Sequence, residues 1–273
     1  MTEIMSEFPA TVPSLVVDFA KLGVKRGMTL VVHSSLKSLG NVNGGPVAVI
    51  LALEEMLGAE GTLVMPTFTA DNSEPSNWQH PPVPEMWWQQ IRATMPVYDV
   101  DLTPSYNMGM IPETFRKQLG VIRSNNPDAS FAAWGKYAQR LIENHALCPL
   151  FGEESPLARV YHLDGWVLLL GVGHNKNSSL HLAESRAKIP HGTIHLGSPM
   201  LIDGIHQWMP FDDIDWDDSD FMELGADFAR ETGKQHEGKV AKATALLMPQ
   251  RALVDYAITW LEKRRGVKEE PPP

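Results

Sequence analysis

Between Gly27 and Pro66 the sequence reads strand, loop, helix, strand, and this order constrains the fold more than any other feature. Gly27-Met-Thr-Leu-Val-Val-His33 is a short apolar run with the length of a buried strand. A polar loop, Ser34-Ser-Leu-Lys-Ser-Leu-Gly40, and then Gly44-Gly45-Pro46 follow it. Pro46 suits the first turn of a helix, in which Val47, Ile50, Leu51 and Leu57 supply the apolar face. Gly58 to Gly61 close that helix, and Thr62-Leu-Val-Met-Pro66 is a second apolar run. Two strands joined across a helix run parallel, and parallel strands need helices over both faces of their sheet. The expected class is therefore α/β.

The rest of the chain extends the pattern. Thr11 and Pro13 mark a helix start, Leu15, Phe19 and Leu22 share one face of it, and Gly23 ends it. Residues 70–106 are rich in Pro, Asn, Asp and Trp, with Trp78, Trp87 and Trp88 close together, and connections of this length usually build a binding surface. Pro112 and Glu113 suit the first turn of a helix through Leu119. Segments from Ser130 to His145 and from Pro156 to His162 also read as helices. Val167-Leu-Leu-Leu-Gly171 is a further strand, followed by Asn175-Lys-Asn-Ser-Ser179 and a helix beginning near Leu180. Met209 to Asp220 reads as a strongly acidic loop and Pro249 to Arg265 as the last helix. With no internal repeat and no linker, residues 1–265 are expected to form one domain and residues 266–273 a flexible tail.

A chain of 273 residues buries enough surface to fold without disulfides or a structural metal. Its single cysteine, Cys148, has no internal partner, which fits a reducing cytosol. No apolar run approaches the ~20 residues that span a bilayer, and Met1-Thr-Glu-Ile-Met-Ser-Glu7 lacks the layout of a signal peptide. A cytoplasmic, soluble protein is expected. The formal net charge of -10 repels phosphate backbones, so no nucleic-acid partner is expected. The same charge attracts small cations, although it also serves solubility alone.

Three groups of residues carry possible chemistry. In His181-Leu-Ala-Glu184 the imidazole and carboxylate lie three residues apart, on one helical face, just beyond a buried strand. A carboxylate partner fixes the tautomer of an imidazole and raises its basicity, which suits a general base; a surface pair of no consequence has the same spacing. A metal site built from His33, His181 and Glu184 is the weaker alternative, because no HExxH pattern or cysteine cluster accompanies it. The second group is the Ser34–Gly40 loop with Gly44 and Gly45, which suits a diphosphate but lacks both the Walker A lysine and the GxGxxG spacing; an ordinary turn would look the same. The third combines Asp71 and Trp78 with Asp212 and Asp213, carboxylates and aromatic faces that attract ammonium groups or, equally, form a solvated turn and a satellite core. His80, His145, His162, His174, His191, His195, His206 and His236 show no ligand spacing, and nothing near Cys148 would lower a thiol pKa.

Taken in order, these blocks resemble the antibiotic N-acetyltransferases, the family of the aminoglycoside 3-N-acetyltransferases. The resemblance runs through Val32-His-Ser-Ser-Leu-Lys-Ser-Leu-Gly40, Gly61-Thr-Leu-Val-Met-Pro-Thr67, Gly109-Met-Ile-Pro-Glu-Thr-Phe-Arg116, Arg123-Ser124, Pro127, Ser155-Pro156, Leu169-Leu-Gly-Val172 and Asn177-Ser-Ser-Leu-His-Leu-Ala-Glu184. It implies a single-domain three-layer α/β/α fold with a mixed, largely parallel sheet, distinct from the GNAT fold. It implies acetyl-coenzyme A as donor, no metal, and a small, polycationic amine as acceptor. Carried over, His181 is the general base and Glu184 orients it. Ser34, Ser35, Leu36, Ser38, Thr67, Arg123 and Ser124 lie along the coenzyme, and Asp71, Trp78, Asp212 and Asp213 meet the acceptor. Two departures stand out: Asn126 replaces the histidine common in the Arg-Ser-x-His-Pro block, and Ser178 replaces threonine before the catalytic block. The alternatives are a coenzyme-A-binding protein that sequesters another amine and a metal-dependent amide hydrolase.

Overall fold

The structure, a computed structural model, describes residues 8–69 and 72–266. Helix α1 (Val12–Leu22) starts at Thr11, whose hydroxyl accepts from the Ser14 N–H, and ends at Gly23, whose φ of 108° only glycine adopts without strain. Strand β1 (Thr29–Ser34), a 3-10 turn (Leu36–Leu39), α2 (Gly45–Leu57) and β2 (Thr62–Pro66) then realise the expected unit, with β1 and β2 parallel. An insert carrying α3 (Glu85–Thr94) leads to α4 (Met110–Phe115), β3 (Ile122–Arg123), β4 (Phe131–Gly135), α5 (Ala138–Ile142) and α6 (Pro156–His162). Strand β5 (Trp166–Leu170) and α7 (Ser179–Arg186) follow, then β6 (Thr193–Ile202), β7 (Ile205–Ile214), α8 (Phe221–Thr232), β8 (His236–Val240), β9 (Ala243–Pro249) and α9 (Gln250–Arg265).

Seven strands form one sheet in the order β3-β4-β2-β1-β5-β9-β8. Side-chain alternation builds the three layers. Val31, Val64, Val167 and Leu169 face one core with α5 to α9, while Leu30, Val32, Leu63, Met65, Leu168 and Leu170 face the other with α1, α2 and α4. Strands buried on both faces read as continuous apolar runs, which is why β1, β2 and β5 were legible. The pairings β1–β2 and β1–β5 are parallel, and those of β4 with β2, β3 with β4, β9 with β5 and β8 with β9 are antiparallel. Five of the seven strands therefore point one way, yet the parallel contacts are confined to the central three.

Two expectations need correction. The Ser130–His145 segment is not one helix: Phe131–Gly135 is β4, paired antiparallel with β2, and only Ala138–Ile142 is helical. Ala132 and Ala133, fully buried between β2 and β3, are small side chains that suit that crowded part of the sheet. Likewise Met209–Ile214 is no loop but half of β7, which pairs with β6 along its whole length. Asp203 and Gly204, both with positive φ, form the two-residue turn that sets that register. The hairpin packs on the insert through the Asn77 amide donating to His195 O (2.8 Å) and the Ser198 hydroxyl donating to Asn72 O (2.6 Å).

Helix α8 lies against the turn at His174, and Gly225 makes the close approach: a methyl built there would overlap the imidazole. Gly225→Ala is expected to lower stability by about 1–3 kcal/mol through overpacking, measured by chemical denaturation. Among the described residues no helix is long and apolar enough to cross a membrane.

Candidate active site

The carboxyl ends of the three parallel strands converge where α/β sheets most often bind ligands, on either side of the central strand. There His33 and Ser34 end β1, Pro66 and Phe68 end β2, and Val172 to Ser178 follow β5. Together with Asn107, Met108 and Pro112 from the end of the insert and the start of α4, and Phe221 at the start of α8, they line a cavity of about 300 Å³. His181 opens onto it.

His181 sits on the first turns of α7. Just before that helix, Asn177 is buried and its side-chain oxygen accepts from the Ser179 N–H (3.2 Å). The imidazole is held on three sides, stacked on Phe151 (centroids 5.0 Å, 18° between planes) and meeting Trp216 at 5.5 Å and Phe221 at 4.9 Å. Its Nδ1 donates to Glu184 Oε2 at 2.9 Å, the contact that the three-residue spacing allows. That bond leaves Nε2 as the lone-pair nitrogen. Glu184 is 2 % exposed, and its second oxygen accepts from Arg265 Nη1 (2.8 Å) and from the Asp217 N–H (3.2 Å). Arg265 is itself braced by the carboxylate of Asp220. A buried carboxylate is sustained by such donors, and here they also fix its plane against the ring.

Two further groups face the cavity without satisfied hydrogen bonds. His33 Nε2 and Ser34 Oγ are buried and have no partner among the described residues. Burial, and then the neighbouring His181, lower the pKa of His33 to about 3, so its ring is neutral at any working pH. Buried polar atoms left open in a cavity are the usual mark of groups that meet a ligand.

The other residues expected along the coenzyme do not line this cavity and hold contacts within the protein. Ser35 Oγ accepts from the Ser38 hydroxyl (2.9 Å), which also donates to Gly171 O (3.0 Å), so both side chains tie the loop to the end of β5. Leu36 packs against the α1–α2 core. Thr67 is fully buried, bonding to Ser130 through its hydroxyl, and Ser124 is fully buried against His145 and the Phe131 N–H. Arg123 stacks on Tyr98 at 5.0 Å and donates to Thr103 O (2.6 Å), Thr67 O (2.7 Å) and the hydroxyls of Thr67 and Ser130 (3.1 Å each). Its guanidinium staples the insert to β2 and β4. Arg123→Met is expected to cost about 3–5 kcal/mol in denaturation, because several carbonyls lose a charged donor, with the KM for acetyl-coenzyme A within about threefold of the parent. A hundredfold rise in that KM with stability intact would place the guanidinium on the coenzyme instead.

Of the expected acceptor contacts, Asp71 lies outside the described residues. Trp78 lines a second, larger cavity of about 670 Å³, which shares Asn107 with the first. Asp212 lies on β7 and pairs with His195 at the surface. Asp213 is buried beside it, where it accepts from the N–H groups of Leu150 (2.9 Å) and Ile214 (2.7 Å); burial raises its pKa. Asn126 is buried, its amide pinning Ala146 O (2.7 Å), and it touches neither cavity. Cys148 is exposed, and partial burial and the two aspartates raise its thiol pKa. Among the described residues no three His, Cys, Asp or Glu side chains are placed to hold a metal ion; Glu184 is turned to Arg265 rather than toward His33.

Sequence reasoning missed the aromatic cage and Arg265. Nothing in the spacing of Phe151, Trp216, Phe221 and Arg265 relates them to His181, because each arrives from a different element.

Comparisons with known proteins place the fold in a family. The family described as aminoglycoside 3-N-acetyltransferase matches residues 31–262. The SPbeta prophage-derived aminoglycoside N(3')-acetyltransferase-like protein YokD of Bacillus subtilis is 42 % identical over 255 residues, 93 % of each chain. Its crystal structure superposes with a TM-score of 0.92, covering 96 % of this chain and 97 % of that one at 40 % identity. Aminoglycoside N(3)-acetyltransferase VII of Streptomyces paromomycinus is 34 % identical over 280 residues, 97 % of this chain and 96 % of its own. The binary complex of AAC-IIIb with CoASH has a TM-score of 0.86 at 29 % identity, covering 97 % of this chain and all of that one. AAC-VIa bound to sisomicin gives 0.84 at 28 %, covering 95 % of this chain and all of that one. A family match over most of the length, on a fold whose parallel core ends at a His–Glu pair, makes this chain a member of the aminoglycoside 3-N-acetyltransferase family.

Proposed function

We propose that the protein transfers the acetyl group of acetyl-coenzyme A to an amine of an aminoglycoside, at the 3-amino group, within the cytoplasm, in a manner that confers antibiotic resistance. The observation that carries the proposal is the imidazole of His181, which lines the cavity while its Nδ1 is engaged by Glu184. An ammonium group cannot attack a thioester until it loses a proton, and a neutral imidazole with its lone pair on Nε2 is suited to accept it. The nitrogen then forms the C–N bond as the C–S bond breaks and the electron pair leaves on sulfur. Of the two protons the ammonium sheds, one ends on the sulfur and the other in solvent. No covalent enzyme intermediate is needed, and no residue of the cavity is an activated nucleophile.

The cavity fits the thioester end of the donor. Pro66, Phe68, Met108 and Val172 offer apolar walls for a pantetheine arm. Ser34 Oγ and His33 Nε2 offer hydrogen bonds to a carbonyl that gains negative charge as the amine attacks. The larger cavity beside Trp78 has room for the sugar rings of an acceptor. The net charge of -10 raises the encounter rate with a polycation and disfavours nucleic acid. The family's CoASH and sisomicin complexes support both substrates.

The test is an acceptor screen with acetyl-coenzyme A, read as thiol release and product mass. Sisomicin and gentamicin are expected to gain one acetyl group, with fragmentation placing it on the 3-nitrogen. Thiol release with no aminoglycoside in a broad panel, but with another amine, would move the acceptor and leave the chemistry in place.

A further inference from the structure

We infer that Arg265 is a positioning residue for the transfer reaction: one guanidinium fixes both the carboxylate behind His181 and the segment that carries two walls of its aromatic cage. The inference rests on the reading of His181 as the proton acceptor and adds to it the group that keeps the pair aligned. Nη1 of Arg265 donates to Glu184 Oε1 (2.8 Å), and Nε donates to Asp220 Oδ2 (2.9 Å). Nη2 donates to the Asp217 carbonyl (2.9 Å) and to Asp220 Oδ1. Trp216 and Phe221 stand immediately before and after the stretch that these bonds hold, and the guanidinium carbon lies 6.0 Å from the centre of the Phe221 ring.

Anchoring of the last helix does not explain this arrangement. Leu253, Val254, Ala257 and Leu261 are fully buried and already seat α9. The adjacent pair, Arg264 with Glu223, is half-exposed on both sides, where an ion pair contributes little. Arg265 and Glu184 are instead withdrawn from solvent. What the guanidinium supplies there is direction. The last bond of a glutamate side chain turns easily, and Oε2 stays in line with His181 Nδ1 at 2.9 Å only while Oε1 is held. Oε1 is held by Arg265 and by the Asp217 N–H (3.2 Å), and Arg265 also grips the Asp217 carbonyl, so both donors move as one unit. A planar guanidinium reaches all of these groups at fixed angles, whereas an ammonium is a point charge on a flexible stem.

The experiment measures kcat, KM and the imidazole tautomer in Arg265→Met and Arg265→Lys, each alone and combined with Glu184→Gln, with acetyl-coenzyme A and sisomicin as substrates. Arg265→Met is expected to lower kcat about 10–100-fold, the range for groups that orient a functional histidine. The KM for acetyl-coenzyme A is expected to stay within about threefold of the parent. In the Glu184→Gln background the same substitution is expected to cause no further loss, because Arg265 acts through that carboxylate. Arg265→Lys still compensates the buried charge and carries the test if the methionine variant folds poorly. It is expected to keep the parent's melting temperature and yet remain at least about tenfold slow, since it lacks the planar fork. Nitrogen NMR, which needs no turnover, is expected to show one His181 tautomer in the parent and a mixture in both variants; a purely structural role would leave that spectrum unmoved. Near-normal kcat in a folded Arg265→Met, full kcat in Arg265→Lys, or an equal loss in both backgrounds would overturn the inference. Near-normal kcat in Glu184→Gln alone would instead overturn the reading of the His181–Glu184 pair beneath it.

Discussion

Glu184→Gln is expected to lower kcat by about 10²–10⁴ while leaving the fold and the KM for acetyl-coenzyme A nearly unchanged. The substitution is nearly isosteric, so its effect isolates the direction of one hydrogen bond. In the native protein one carboxylate oxygen accepts from Arg265 and the Asp217 N–H, the other from His181 Nδ1. A glutamine here has one oxygen to share. Arg265 and the main-chain N–H of Asp217 are donors only, so they claim that oxygen and turn the amide NH₂ toward the imidazole. His181 Nδ1 must then accept rather than donate, and its proton moves to Nε2. Nε2 then becomes a donor, the wrong form for taking a proton from an ammonium group. Steady-state kinetics checks the size of the loss, and nitrogen NMR of the imidazole distinguishes the tautomers. A glutamine variant with near-normal kcat would show that the pair does not control the proton.

His181→Ala is the companion result and is expected to be at least as severe, again about 10²–10⁴ in kcat. Its interpretation depends on what is left behind. The ring fills a slot between Phe151, Trp216 and Phe221, so alanine opens a void there and leaves Glu184 with Arg265 as its remaining charged partner. A stability loss of about 2–4 kcal/mol is expected from the missing contacts, and turnover must be measured where the variant is fully folded. Coenzyme A affinity, by calorimetry, is expected to remain, because the apolar walls and Ser34 are untouched. Exogenous imidazole has a cavity of its own size to enter, and partial rescue by it would tie the lost rate to proton transfer. Near-normal turnover in a folded variant that still binds coenzyme A would remove the base assignment.

What could be read from the sequence divides along a physical line. The strands β1, β2 and β5 were legible because burial on both faces leaves a local signature, in Leu30–Val32, Leu63–Met65 and Val167–Leu170. The His181–Glu184 contact was legible because it lies within one helical turn. The hairpin β6–β7 was not: only Leu196 and Phe211 reach one of the two cores, and its strands alternate weakly, with exposed residues such as Leu201 and Ile205 among them. Its acidic end looked like a loop because Asp212 and Asp213 point to opposite faces of a strand, one exposed and one buried. What surrounds Arg123 was hidden for a different reason. An arginine beside a serine is the residue type that holds phosphate, and only the coordinates reveal that backbone carbonyls already occupy its donors.

The salt bridge from Arg265 to Glu184 joins positions 81 residues apart, and it has a consequence for when the protein becomes competent. During synthesis the imidazole and its carboxylate emerge together, but the cation that clamps the carboxylate comes only with the last turn of α9. A chain without that turn is expected to leave the Glu184 carboxylate without its charged partner. Packing of the last turn of α9 thus tightens the His181–Glu184 pair from a distant part of the sequence.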